Sequence, residues 1–222
     1  MAINLIAQTG GFIGATGGTS GSIDTTGADF LVASVPYFSN AFIIDASYIS
    51  DSKGNMWNQL GDYSSASEAP IRLFYVENPS LGSGHTFTVS TPGVNSFPSP
   101  DFYAFSGMAT SSVFDVGKEN GAHTSGGGPL STGSITPSVN NALIFTGLAC
   151  GNGTPGSVTP TMTSTTTEAF GATDYYQQGS ASAINPSWSW TGGSQGGSVA
   201  VAAFKPAGGG GGGTFNAMLI AP

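Results

Sequence analysis

The sequence is short of charge. Only 7 % of its 222 residues are Asp, Glu, Lys or Arg, with four basic residues against twelve acidic ones and a net charge of −8. A chain with so few cations lacks the counterion-release term that drives phosphate binding, which argues against a nucleic-acid partner. The same deficit disfavours anionic membrane surfaces. Cysteine is nearly absent too: the lone Cys150 cannot close an intrachain disulfide, and its place after Leu143-Ile144-Phe145 reads as a buried, inert thiol. There are two histidines, His85 and His123. With one Cys they are too few for a zinc constellation unless carboxylates complete it. No calcium-loop signature occurs, so no metal and no cofactor is expected. No apolar run approaches the ~20 residues of a membrane span. The segment Met1-Ala2-Ile3-Asn4-Leu5 has no basic residue or long apolar core, so no signal peptide is expected and synthesis in a host cytoplasm is. Helical periodicity is also missing, since Leu and Ala do not recur at sustained helical spacing.

What is plentiful is glycine (35) and proline (13), with 39 % hydrophobic and 11 % aromatic residues. Glycine supplies positive φ and proline fixes φ, so the composition suits many short strands joined by tight turns. The apolar fraction is enough to fold the chain. One large β domain is favoured over two small ones.

Alternation and turn punctuation predict strands at Ile3–Ala7, Asp29–Tyr37, Phe42–Ile49, Asn55–Leu60, Ile71–Val76, His85–Ser90, Phe102–Gly107, Gly133–Thr136, Ala142–Ala149, within Thr163–Ser182, Ser187–Thr191 and Ser198–Phe204. Ala142–Leu148 is apolar on both faces and should be central. Ser198–Phe204 behaves likewise, with small alanines on one face that allow close packing. Ile71–Glu77 mixes polar and apolar residues and reads as partly solvated. The turn at Asp51-Ser52-Lys53-Gly54-Asn55 should use Asp51 as acceptor of a backbone N–H and Gly54 at positive φ. After Lys205 come six glycines, Gly208–Gly213, a hinge spanning roughly 12–15 Å as a coil. The apolar segment beyond it offers Phe215, Met218, Leu219 and Ile220 for docking on a subunit.

Several patterns imitate catalytic motifs. Gly151-Asn152-Gly153-Thr154-Pro155-Gly156 fits G-x-G-x-x-G, but the Thr- and Pro-rich continuation cannot begin the helix that a dinucleotide site needs, so a glycine turn is expected. Gly192-Gly193-Ser194-Gln195-Gly196 fits G-x-S-x-G, yet leads into a strand instead of a helix. His85 and His123 read as turn or surface residues, and the scattered carboxylates show no spacing that marks an acid–base pair. Trp188 and Trp190 share one strand face. Core burial is the favoured reading; facing outward with Trp57, they would form a platform for stacking on a glycan. Tyr175 and Tyr176 should point to opposite faces.

The runs Ile23–Val32, Asp51–Trp57, Gly82–Val89, Ala104–Gly107, Ser134–Pro137, Ala142–Gly147 and Ala203–Lys205 together resemble a jelly-roll or lectin-like β-sandwich family common in bacteriophage structural proteins and bacterial surface proteins. The resemblance implies an all-β, antiparallel jelly-roll-type sandwich, with an N-terminal strand or arm at 1–21, the sandwich at 22–206, and a hinge and docking tail at 207–222. It implies no catalytic residue. The expected function is a non-enzymatic virion protein, foremost a capsid decoration or cement protein contacting the major capsid protein as a homo-oligomer such as a trimer. The alternative is a carbohydrate-binding adhesion module of a tail fibre.

Overall fold

The computed structural model describes residues 2–11, 13–38, 42–60, 69–91, 95–122, 127–168, 170–193 and 196–208. They form sixteen strands, every ladder antiparallel, and one 3-10 turn at Ala46–Tyr48 capped by Asp45. The all-β, sandwich-type expectation holds. Among the described residues no helix is long and apolar enough to cross a membrane.

The strands are β1 Asn4–Gly10, β2 Gly17–Thr19, β3 Phe30–Pro36, β4 Ile49–Asp51, β5 Asn58–Leu60, β6 Ile71–Glu77, β7 Phe87–Ser90 and β8 Asp101–Ser106 in the first half. The second half holds β9 Phe114–Ala122, β10 Leu130–Ser131, β11 Ala142–Ala149, β12 Thr154–Thr159, β13 Thr163–Glu168, β14 Gly171–Gln178, β15 Ser187–Thr191 and β16 Gly197–Phe204. Four sheets result. In the first half they are ordered β1-β8-β3-β6-β5 and β2-β7-β4, and in the second β9-β16-β11-β14-β13 and β10-β15-β12. Each strand of the second half occupies the place of the strand eight earlier in the first. The chain is a structural duplication.

The match extends to single residues. Phe30 lies opposite Phe105 and Glu77 in the first inner sheet, as Leu143 lies opposite Phe204 and Gln177 in the second. Tyr75 and Tyr175 take equivalent positions, opposite Val32 and Phe145. Both β1 and β9 are bulged at the same step, between Leu5 and Ala7 and between Phe114 and Val116. The isolated bridge Ile23–His85 has its counterpart in Ile135–Ile184.

The single sandwich expected over 22–206 is therefore two sandwiches, stacked through their five-stranded sheets. Each outer core lies between a three- and a five-stranded sheet: Leu31, Phe74, Trp57 and Phe87 fill the first, and Ile144, Trp188, Trp190 and Val199 the second. A third core, the seam, joins the halves through Phe30, Tyr103, Phe105, Leu143, Phe145 and Phe204. Ring contacts across it are reciprocal: Phe105 meets Tyr175 at 5.0 Å and Phe204 meets Tyr75 at 5.7 Å. Such exchange of the same contact in both directions is the pattern of a two-fold interface. The boundary expected after residue 21 does not divide the fold, because β1 is paired along its length with β8.

Burial on both faces accounts for the strands that read as unbroken apolar runs. All eight residues of β11 and of β16 are buried. Ala200 and Ala202 face the seam, and Val199, Val201 and Ala203 the outer core. Gly147, at the middle of β11, admits Ile71 and Ser34 so closely that a β-carbon would collide with both. β6 is not the partly solvated strand expected of Ile71–Glu77: it lies inside its sheet, buried except at Tyr75 and Glu77, and even Arg72 is 1 % exposed. Phe42–Ile49 forms no strand before Ile49, whereas β9 and β12 arise where none was expected.

Candidate functional site

Two places bring chemistry-bearing residues together. The first is a closed chain of polar side chains in the first sandwich. Asp51 ends β4, and its Oδ1 accepts the Lys53 amide at 2.8 Å and Asn55 Nδ2 at 3.1 Å, while Oδ2 accepts Trp57 Nε1–H at 2.9 Å. Gly54 has φ 73°, completing the expected turn. His85 Nε2 lies 3.1 Å from Asp51 Oδ1, with its N–H off the line between them, so the contact is electrostatic more than a hydrogen bond. On the other side of the ring, His85 Nδ1 lies 2.9 Å from Thr25 Oγ1. Thr25 Oγ1 accepts the Gly82 amide at 3.1 Å, and its single hydrogen has both His85 Nδ1 and the Gly82 carbonyl, at 3.2 Å, in reach.

Hydroxyl, imidazole and carboxylate thus stand in the order of a nucleophilic triad. Both Thr25 and His85 are 0 % exposed. Burial lowers the His85 pKa against the opposing pull of Asp51, so the imidazole is neutral at neutral pH. A sealed hydroxyl offers no path to a substrate, and the set acts as a brace tying the 51–55 and 80–84 turns to Ile23–Thr25. His85 is consequently not the turn or surface residue that its glycine-flanked position implied. Its counterpart is Ile184, so the brace belongs to one half only. Replacing Asp51 with Ala strands Trp57 Nε1 and the Lys53 amide, and an equilibrium urea titration should show a loss of about 2–3 kcal/mol.

The second place is a hollow of about 210 Å³ at one end of the seam, lined among the described residues by Tyr37, Phe38, Phe97, Gly151, Asn152 and Phe170. Both halves build it. Tyr37 and Phe38 follow β3, Gly151 and Asn152 follow β11, and the Phe38 amide bonds the Ser96 carbonyl at 2.7 Å to hold the β7–β8 loop beside them. Phe97 carries φ 45°, a left-handed conformation uncommon for a phenylalanine. Its ring lies 6.3 Å from that of Phe170 across the junction. Phe38, Phe97 and Phe170 are each half-buried, and the lining is almost entirely carbon with no charged side chain among these residues. The hollow is suited to an apolar or aromatic group.

Between hollow and aromatic seam lies a polar patch. Asp101 Oδ2 accepts the Thr173 hydroxyl at 2.8 Å across the junction, whereas Oδ1 has no partner. Burial pushes the Asp101 pKa up to about 7, with Glu168 adding in the same direction, against the hydrogen bonds of Thr166 and Thr173.

The three tryptophans do not form the glycan platform considered from sequence. Trp57, Trp188 and Trp190 are 6 %, 1 % and 3 % exposed and lie in the two outer cores, where an indole buries the most apolar area. Trp188 Nε1–H donates to Thr146 Oγ1 at 3.0 Å. Tyr175 turns into the seam and Tyr176 outward, as alternation required. The Gly151–Gly156 run is a turn followed by β12, and Cys150 is buried, its thiol pushed up to about 12. Among the described residues no three or more His, Cys, Asp and Glu side chains converge on a metal position. Phe215, Met218, Leu219, Ile220, His123 and Ser194 lie outside the described residues.

No protein-family model matches the chain, and no curated protein matches it. Among solved structures, one described as a "putative secreted protein" from Eubacterium rectale aligns at 10 % identity with a TM-score of 0.21, covering 86 % of this chain and 69 % of that one. A likeness at that level supports no inference about fold or function.

Proposed function

We propose that this chain is a non-enzymatic structural protein of a tailed-phage virion, a capsid decoration or cement protein that binds the major capsid protein and works through subunit contacts. The observation that carries this reading is the seam. Two sandwiches of one strand order are stacked through a reciprocal aromatic interface, so the chain is already built as an assembly of two subunits joined covalently. We read each half as a jelly roll, in which β1-β8-β3-β6 faces β2-β7-β4, an architecture shared by capsid proteins and lectins.

Two further features support the reading. β1 is half-exposed along its whole length and hydrogen-bonded to β8 on one side, so its other side can accept a strand from a partner. The low charge, net −8, suits contacts with protein surfaces over contacts with nucleic acid. The test is to add the purified chain to capsids that lack it. Saturable binding and a higher particle melting temperature are expected. Particles that neither bind the chain nor gain stability from it would remove the decoration assignment.

A further inference from the structure

We propose that the seam hollow is the socket for the apolar C-terminal segment of a second copy of this chain, with Phe215 as the inserted side chain. The proposal rests on the assembly reading above and names the surface through which copies meet.

The hollow's chemistry selects the occupant. Its wall is aromatic carbon from Phe38, Phe97 and Phe170, open to solvent on one side and without a charged side chain among the described lining. A sugar would find few polar atoms to satisfy its hydroxyls there, whereas an aromatic side chain needs none. Size agrees as well. A cavity of about 150 Å³ takes a benzene molecule, so about 210 Å³ accommodates a benzyl group and part of its neighbour. The segment Thr214-Phe215-Asn216-Ala217-Met218-Leu219-Ile220 carries no charge, which matters because two copies at −8 each repel one another except through neutral patches.

The geometry favours a second copy as the source. β16 ends at Phe204, opposite Leu143 near the start of β11, whereas Gly151 and Asn152 follow the far end of β11 at Ala149. Eight strand residues at ~3.3 Å each separate these two ends by roughly 25 Å. The chain beyond Phe204 is fastened at its own end, since Pro206 bridges Met108 and the Ala207 amide bonds the Gly107 carbonyl at 2.8 Å. From Ala207 to Phe215 is about eight residues, a coil of roughly 14–17 Å by the square-root rule. Phe215 therefore falls short of its own hollow unless the glycines are drawn nearly straight. A neighbouring copy faces no such limit, and a tail-to-socket contact between copies gives a ring or an exchanged pair.

The test uses the full chain and two variants that cannot do the same job. The first, Phe215→Ala, keeps the socket and loses the plug. The second, Asn152→Trp, keeps the plug and fills the socket, with Phe170→Ala as an independent socket variant; far-ultraviolet circular dichroism and thermal melts establish that each is folded. By sedimentation velocity the wild type is expected to self-associate. Each variant alone should associate roughly ten- to a hundredfold more weakly, the loss expected for one buried aromatic side chain. An equimolar mixture of Phe215→Ala and Asn152→Trp should recover association as a one-to-one pair, because one plug and one socket survive.

A doubly substituted chain, Asn152→Cys with Ala217→Cys, should form its disulfide between chains. A disulfide within one chain would overturn the second-copy assignment. Wild-type association undiminished by any of the variants would overturn the socket while leaving the assembly reading in place. A wild type that is monomeric at all concentrations and does not bind particles would overturn both. Binding of an immobilised oligosaccharide that Phe170→Ala abolishes, with self-association unaffected, would reassign the hollow to a glycan.

Discussion

Raising the pH from about 4 to above 7 should destabilise this protein by about 4 kcal/mol, with Asp101 as the main cause. Its carboxyl is 1 % exposed, and its pKa rises from 3.8 to about 7 because burial penalises the charged form. An unfolded chain releases that proton near pH 4. Between the two values the folded state holds more protons than the unfolded one, so stability falls as pH rises across this window and is level on either side of it. Three pH units at 1.36 kcal/mol each set the magnitude, an order-of-magnitude figure. Glu168, also raised by burial, acts with the same sign. His85 acts in the opposite sense: its lowered pKa means that the unfolded chain binds the extra proton just below pH 6.5, so its contribution grows as pH rises there. Asp101→Asn separates the two, since the amide stays neutral at every pH and should flatten the descending limb. Urea midpoints measured at intervals from pH 4 to 8 in both proteins provide the comparison. An unchanged pH profile in the variant would show that Asp101 does not carry the dependence.

The location of that carboxylate was not legible in the sequence. Asp101 stands beside Phe102 in an apolar strand and reads there as a solvated strand end. Its burial depends on β14 of the other half crossing in front of it and supplying Thr173, and no local pattern reports a contact between residues so distant in the chain. The duplication was hidden for a similar reason. Its two halves keep strand order, register and a bulge, but the matched residues differ: Phe30 corresponds to Leu143, His85 to Ile184 and Val89 to Trp188. What backbone geometry repeats, side-chain identity does not.

Where a strand is buried on both sides, the sequence was informative. Ala142–Ala149 is continuously apolar because an outer core lies on one face and the seam on the other, and the alanines of β16 mark the close approach of the first half. β9 was missed because Phe114–Ala122 is an edge strand carrying Asp115, Lys118, Glu119 and Asn120, so only part of one face is apolar. β6 was misjudged for the converse reason, as Arg72 suggests solvent although its side chain is buried. The hollow had a signal that periodicity discards. Phe38, Phe97 and Phe170 lie in loops rich in Pro, Ser and Gly, where no strand core accounts for an aromatic ring.

Truncating the seam should uncouple the sandwiches. Phe204 is fully buried, with ring centroids 4.8 Å from Phe30, 5.7 Å from Tyr75 and 6.1 Å from Phe114. Phe204→Ala removes an aromatic side chain that two rigid sheets cannot collapse around, so a cost of about 3–5 kcal/mol is expected. Phe105 occupies the equivalent position in the other half, 5.0 Å from Tyr175, and Phe105→Ala should cost a similar amount. Each sandwich also has an outer core that the seam does not share. The double variant should therefore lose cooperativity between the halves before it loses either fold. The tryptophans report on this separately, since Trp57 lies in the first outer core and Trp188 and Trp190 in the second. In a Trp57→Phe background, fluorescence follows the second half alone, and circular dichroism follows both. The two probes should give coincident urea transitions for the single-tryptophan-site control and separated ones once both phenylalanines are removed. Coincident transitions with less than about 1 kcal/mol lost would mean that the outer cores, and not the seam, hold the halves in one cooperative unit.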